Sequence, residues 1–143
     1  MPTLTTIELP PPKNWDEFED ICADLFARVW ADPSTIRHGR SGQRQHGVDV
    51  LGQSSGLFAG VQCKGKRQYP PAPLTTAEID TQVAEALKFR PALAEFIIAT
   101  TAANDAQVQD HAAAITARHQ ASGNFRVQVL AWDELSRRLK NYP

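Results

Sequence analysis

The sequence predicts an α/β fold in which a mixed β-sheet is flanked by helices on both faces. Several segments carry apolar residues every three to four positions, as amphipathic helices do. Short apolar or alternating runs between them are typical of strands. The predicted order is helix, two or three strands, helix, strand, helix, strand, helix. Such an order builds a layered α/β domain.

Length and composition favour one domain. The chain has 143 residues, of which 42% are hydrophobic, enough for one core. We expect residues 1–14 to be an extended proline-rich lead-in, because consecutive prolines exclude a helix, and residues 15–143 to be a single domain. An apolar run of about 18 residues and a signal-peptide pattern are both missing, which predicts a cytoplasmic protein without membrane contact. Cys22 and Cys63 lie in apolar segments, so we expect reduced, buried thiols.

The first helix is predicted from Trp15 to Trp30, with Asn14 as its N-cap. Glu19 departs from the division of this helix into apolar and polar faces, because its spacing places its carboxylate over the apolar flank. Such an acid pairs with a cation or serves a site, unless it is an ordinary boundary glutamate. The predicted apolar stripe is Phe18, Ile21, Leu25 and Val29, and the flank beside Glu19 is Trp15, Cys22 and Phe26.

Two strands are predicted next, from Gly47 to Leu51 and from Leu57 to Lys64, with a turn over residues 52–56. Alternation places Val48 and Val50 on one face and Asp49 on the other. Gln62 and Lys64 alternate in the same way with Val61 and Cys63. Antiparallel pairing therefore predicts that Asp49, Gln62 and Lys64 share one surface.

The remaining elements follow from capping residues and apolar runs. A short strand is predicted at 35–38, before a glycine-containing loop that reaches Gly47. Further along the chain we expect a helix capped by Thr75 or Thr76 and ending near Arg90, a buried strand at 96–100, a helix capped by Asn104 or Asp105 and ending near Gln120, a strand at 125–130 and a helix at 132–140.

Charge is nearly balanced overall, with a formal net charge of −1, which gives no global basic footprint. Between Arg37 and Arg67, however, Asp49 is the one acid among several cations. A local positive patch predicts a surface for phosphate contacts, and the alternative is a solvated loop with ordinary surface charges. The cations of this stretch are Arg37, Arg40, Arg44, Lys64, Lys66 and Arg67.

The side chains of the hairpin and the first helix suit a hard metal ion. Carboxylates of Glu19 and Asp49, the amide oxygen of Gln62 and the backbone carbonyl of Cys63 are oxygen donors, which match Mg²⁺ better than zinc. A bound Mg²⁺ polarises a phosphodiester and activates a coordinated water. Lys64 beside it would orient that water or stabilise negative charge on the phosphate.

These residues resemble a known family. Gly47-Val48-Asp49 and Val61-Gln62-Cys63-Lys64, with Phe18-Glu19 on a preceding helix, look like the PD-(D/E)xK nuclease superfamily. The chain is most similar to its Mrr-like restriction endonuclease branch, in which Gln replaces the second acid. The similarity extends from about Trp15 to Thr100, and the segment 129–135 also resembles that branch. It implies a restriction-endonuclease-like, three-layer α/β/α fold and Mg²⁺-dependent hydrolysis of phosphodiester bonds in double-stranded DNA, with Mn²⁺ as a substitute metal.

The resemblance also implies roles for single residues. Asp49 would be the main metal ligand, Glu19 the acid from the helix, Gln62 the replacement for the second acid and Lys64 the catalytic lysine. Gln62 is the departure from the superfamily pattern, because an amide binds magnesium more weakly than a carboxylate. The expected DNA contacts are Arg40, Gln43, Arg44, Gln45 and His46 on the loop and Lys66 and Arg67 after the second strand.

Domains of this type commonly act in restriction or anti-phage defence. The resemblance therefore suggests an N-terminal effector of a larger protein, fused to or associated with a sensor or ATPase module, and a homodimer or higher oligomer. Two alternatives stay open. One is a catalytically degenerate, nuclease-like module that binds DNA or protein, and the other is a purely structural oligomerisation domain.

Overall fold

A computed structural model describes residues 9–38, 47–68 and 70–141. The described residues form four helices and five strands in the predicted order. They are α1 (Trp15–Val29), β1 (Ile36–Arg37), β2 (Val50–Ser54), β3 (Leu57–Lys64), α2 (Thr76–Ala86), β4 (Glu95–Thr100), α3 (Ala106–Ser122), β5 (Arg126–Leu130) and α4 (Trp132–Asn141).

The five strands form one mixed sheet in the order β1-β2-β3-β4-β5. The pairs β1–β2 and β2–β3 are antiparallel. The pairs β3–β4 and β4–β5 are parallel, because a helix carries the chain back across the sheet each time. The predicted α/β fold with a mixed sheet is confirmed.

Helices cover both faces of this sheet. Phe96 and Ile98 of β4 pack in one apolar cluster with residues of α2 and α3. Ile97 and Ala99 of the same strand pack in a second cluster with residues of α1 and α4. We call these sides the α2/α3 face and the α1/α4 face. The alternation along β4 thus divides the core into two halves.

Three helix starts agree with the capping residues in the sequence. Asn14 accepts a hydrogen bond from the backbone N–H of Glu17 at 3.1 Å, and Asp105 accepts one from Gln107 at 2.8 Å. Thr75 and Glu78 form a reciprocal capping box at the start of α2. Helix α2 ends at Ala86, earlier than the predicted end near Arg90. The four residues after it turn before Pro91 and place Phe89 in the core.

The β2–β3 hairpin differs from its prediction in one strand. Strand β3 has the predicted bounds, whereas β2 begins three residues later than expected, at Val50, and continues to Ser54. A tight turn at Ser55 and Gly56 joins the strands, and both residues have positive φ angles of 53° and 79°. The predicted turn over residues 52–56 was therefore too long.

A bend at Asp49 places its two neighbours on opposite faces of the sheet, contrary to the prediction. Val48 is buried in the α2/α3 cluster, but Val50 is buried in the α1/α4 cluster. The prediction that both valines share a face was wrong. Strand alternation requires continuous extended backbone, and Asp49 interrupts it.

Helix α1 buries a stripe rotated from the predicted one. Its fully buried residues are Phe18, Cys22, Leu25 and Phe26, whereas Ile21 and Val29 are only partly buried. The lead-in contacts α4, where the indole N–H of buried Trp132 donates to the carbonyl of Leu9 at 2.8 Å. Within the part of the chain that the structure describes, none of the helices combines the length and the apolar character needed to cross a membrane.

Candidate functional site

Arg37 on β1 binds three carboxylates of α1. Its guanidinium donates hydrogen bonds to Asp16 and Asp20, each at 3.1 Å, and to Glu19. The three acids occupy positions i, i+3 and i+4 and therefore share one face of the helix. The Glu19 side chain is 18% exposed, compared with 80% for Asp16 and 65% for Asp20. Glu19 thus has the cation partner that its place over the apolar flank requires.

Sequence reasoning placed Arg37 in a positive patch and missed this role. Burial acts to lower the pKa of the Arg37 guanidinium. The hydrogen bond with Asp16 and the charge of Glu19 act to raise it, and together with the other carboxylate contacts they outweigh burial, so the net shift is upward. Arg37 therefore stays charged and holds β1 against α1. The row of acids at i, i+3 and i+4 was the signal that a cation had to face this helix.

Asp49 is fixed at its bend by the neighbouring strands. Its backbone N–H donates to the carbonyl of Val61 at 2.7 Å, and its carbonyl accepts from the N–H of His38 at 2.7 Å. Its carboxylate oxygen Oδ2 accepts the backbone N–H of Cys63 at 2.8 Å. The side chain therefore takes the place that a strand partner would otherwise have, at the point where the β2–β3 ladder ends.

Burial and three charged side chains affect the pKa of Asp49. Burial raises the pKa of Asp49 to about 6. The Cys63 N–H and the charges of Arg37 and Lys64 act to lower this pKa, and the charge of Glu19 acts to raise it. Glu19, Arg37 and Lys64 are thus close enough to Asp49 for their charges to be felt at its carboxylate.

Along β3 the site residues alternate with core residues. Val61 and Cys63 are buried in the α1/α4 cluster, so the partly buried Gln62 and Lys64 start from the α2/α3 face. Glu19 belongs to α1, on the other side of the sheet. Glu19 and Lys64, whose charges both act on Asp49, therefore come from opposite faces of the sheet.

Hydrogen bonds set the direction of the backbone at this point. The carbonyl of Lys64 accepts the hydroxyl of buried Thr100 on β4 at 2.7 Å. The N–H of Cys63 points the opposite way, toward Asp49. Because the N–H and C=O of one strand residue point to the same side, the Cys63 carbonyl also faces the side on which Asp49 lies.

The thiol of Cys63 belongs to the core. Both cysteines are buried and free, as the sequence predicted. A hydrogen bond with Cys22, together with burial, raises the pKa of the Cys63 thiol well above its ordinary value. The thiol is therefore protonated and is not a nucleophile at neutral pH.

The oxygen donors around Asp49 are of the class that magnesium prefers. The predicted ligands are the carboxylates of Asp49 and Glu19, the amide oxygen of Gln62 and the carbonyl of Cys63, and the charge of Glu19 acts on Asp49. Among residues 9–38, 47–68 and 70–141, no cluster of three or more His, Cys, Asp or Glu side chains is arranged to hold a metal ion. The predicted set contributes two such side chains, and the other donors are an amide and a backbone carbonyl.

The predicted DNA contacts divide into two groups. Arg40, Gln43, Arg44, Gln45 and His46 lie outside the described residues. Lys66 is paired with Glu78 at 2.5 Å. Burial acts to raise the pKa of Glu78, but the pair with Lys66 and the hydrogen bonds from Thr75 outweigh it, so this pKa is lowered. The Nε–H of Arg67 donates to the carbonyl of Pro70 at 3.1 Å. Much of the charge of Lys66 is therefore compensated within the protein.

No protein-family model matches the chain, and no curated protein is significantly similar to it in sequence.

Proposed function

We propose that the chain is a metal-dependent DNA endonuclease domain that hydrolyses phosphodiester bonds beside Asp49. One observation carries the proposal. A largely buried carboxylate, hydrogen-bonded to the Cys63 N–H, lies within the electrostatic influence of a second acid, Glu19, and a lysine, Lys64. Two acids can hold a divalent metal ion that activates water, and a lysine beside them can stabilise negative charge on the phosphate.

The arrangement of the chain supports the same assignment. A helix, an antiparallel hairpin, a second helix and a parallel strand follow one another from α1 to β4. This is the core that the resemblance to the PD-(D/E)xK superfamily implies, and it supports the proposal that the chain is a member. The Mrr-like branch is proposed because Gln62 stands in place of the second acid. The restriction-endonuclease-like fold is part of the proposal.

Asp49 and Glu19, with the Gln62 amide and the Cys63 carbonyl, would hold the metal. Mg²⁺, or Mn²⁺ in its place, supplies Lewis-acid polarisation of the phosphate and a more acidic water. The protein prepares for this cation in two ways. Burial keeps the Asp49 carboxylate poorly solvated, and the Cys63 N–H occupies only one of its oxygens. Binding of a cation would relieve the cost of the buried charge.

Lys64 and Arg37 have different roles in the proposed reaction. The backbone of Lys64 is anchored through its carbonyl to Thr100, which directs the side chain from a rigid strand. Its ammonium orients the attacking water or stabilises charge on the phosphate oxygens. Arg37 positions Glu19 through their ion pair and competes for that carboxylate with any metal.

The partners follow from the same proposal. Double-stranded DNA is the substrate, and a homodimer or higher oligomer would cut both strands. A role in restriction or anti-phage defence, with a fused or associated sensor or ATPase module, is proposed from the resemblance alone.

A plasmid assay tests the proposal. We expect supercoiled plasmid to be nicked or linearised in Mg²⁺ or Mn²⁺ and to stay intact in EDTA, both for the chain itself and for a version dimerised through a fused coiled coil. Asp49→Asn should be inactive. If wild type and Asp49→Asn leave the plasmid intact in every metal and in the dimer, the enzymatic claim is wrong. Retention of DNA by both proteins in the same reactions would then favour the binding-only module.

A further inference from the structure

A groove lies between the proline-rich lead-in and the end of β3. Its volume is about 750 Å³, and its walls are the segment 10–15 on one side and 65–68 on the other. Phe18 and Thr101 line it as well. Consecutive prolines keep the first wall extended, since each ring fixes its φ angle. The groove is thus formed largely by backbone with little conformational freedom.

Trp15 presents an exposed aromatic side chain to this groove. It is the first residue of α1, directly after the Asn14 cap, and it is 57% exposed. A Cβ placed at Gly65 would lie 3.4 Å from two carbons of its indole. The indole therefore packs against the backbone at Gly65. Because Gly65 directly follows Lys64, the ring lies one residue from the proposed catalytic lysine.

The charged side chains described along the groove are all cations. Lys13, Lys66 and Arg67 line it, and the described lining residues include no Asp or Glu. Lys66 is paired with Glu78, so Lys13 and Arg67 carry the attraction for an anion. The hydrogen bond to Pro70 holds the Arg67 guanidinium at the wall of the groove. An exposed indole in a groove that two cations also line complements a nucleotide, which has a flat base and a charged phosphate on either side.

We propose that this groove binds an unstacked base of the DNA strand next to the phosphate that is cleaved. The indole of Trp15 stacks on the base, and Lys13 and Arg67 contact the flanking phosphates. This inference rests on the proposed nuclease function and adds to it a residue that positions the strand. Stacking accepts any base, so Trp15 contributes affinity and register without reading sequence.

Tryptophan fluorescence tests the stacking directly. Trp30 and Trp132 are only 7% and 9% exposed, so DNA bound at the surface changes mainly the fluorescence of Trp15. The full chain is titrated in EDTA, where cleavage does not occur, with a single-stranded oligonucleotide of twelve thymidines and with a blunt duplex of the same length. We expect the single strand to quench the fluorescence and the duplex to quench it less, because duplex bases are already stacked.

Variants decide whether Trp15 is responsible. Trp15→Ala should weaken binding of the single strand roughly 5- to 150-fold, which is the loss in affinity expected when one base–aromatic stack is removed. Trp15→Phe should keep most of the affinity, because phenylalanine can still stack on a base. Arg137→Ala removes an exposed cation on α4 and should bind as wild type does. Unchanged thermal melting of Trp15→Ala shows that the fold is intact. Equal affinity of Trp15→Ala and wild type, or no quenching by the single strand, would overturn the inference.

The two proposals fail separately. Quenching that depends on Trp15, in a protein that cleaves no DNA, supports the stacking groove and contradicts the nuclease function. Cleavage by a protein whose Trp15→Ala variant binds DNA normally supports the nuclease function and refutes the groove.

Discussion

The Arg37 guanidinium is hydrogen-bonded to the Glu19 carboxylate, and this pair joins β1 to α1 beside Asp49. Both side chains are more than half buried, whereas Asp16 and Asp20 are largely exposed. Water screens exposed ion pairs, so the interaction with Glu19 dominates the contribution of Arg37 to stability. The pair also defines the charge that a metal ion would meet at this site.

Replacing Arg37 with alanine should destabilise the domain. Three acids on one face of α1 would lose their shared cation, and Glu19 would keep a poorly solvated charge. We expect the free energy of unfolding to fall by about 1–3 kcal/mol in urea titrations without metal. The double variant Arg37→Ala/Glu19→Gln should recover part of the loss, because it also removes the unpaired charge. A double variant that shows only the sum of the single losses would contradict this account.

The raised pKa of Asp49 predicts a pH-dependent effect of Asp49→Asn. The folded-state pKa of about 6 exceeds the ordinary value of 3.8, so the folded protein binds this proton more tightly than the unfolded chain. Wild type therefore loses stability as pH rises from about 4 through 6. Asparagine carries no charge and still accepts the Cys63 N–H.

We expect Asp49→Asn to be more stable than wild type at pH 8 by about 1–3 kcal/mol and nearly equal to it near pH 4. Urea unfolding at both pH values in EDTA measures the difference. A variant that is less stable than wild type at pH 8, or a difference that does not change with pH, would refute the assigned cause.

Gly52 should tolerate no side chain. A Cβ there would lie 2.5 Å from the hydroxyl of Thr35 and 2.7 Å from the indole of Trp30, which is itself buried. Gly52→Ala should therefore lower the free energy of unfolding by about 1–3 kcal/mol through overpacking. Gly65→Ala is the matched control, since its added methyl meets Trp15 at an ordinary 3.4 Å. Equal thermal melting of the two variants would show that the contact at Gly52 is unimportant.

Local features of the fold were predictable because they depend on neighbours in sequence. Asn14 and Asp105 cap their helices through backbone groups two or three residues away. The bounds of β3 follow from the turn residues before it and from Gly65 after it. Glu19 was predicted over the apolar flank from helical spacing alone, and its low exposure agrees with that position.

Other features of the site depend on contacts that are distant in sequence. The bend at Asp49 is held by His38, which follows β1, and by Val61 of β3, so alternation around it could not be read from residues 47–51. Arg37 reaches acids that are 17 to 21 residues away, and this requires the docking of β1 on α1. The contact of Trp15 with Gly65 likewise joins the start of α1 to the residue after β3, which is distant in sequence.

The role of Lys64 is the central claim, and single-turnover cleavage tests it most directly. Dimerised protein in excess over plasmid, with Mg²⁺, gives a rate that does not depend on DNA affinity. Lys88→Met is the matched control, because Lys88 is an exposed lysine beside Glu85 at the end of α2. We expect Lys64→Met to cleave at least about 100-fold more slowly than wild type and Lys88→Met to cleave at the wild-type rate. Equal rates for Lys64→Met and wild type would contradict the assignment of Lys64 as the catalytic lysine.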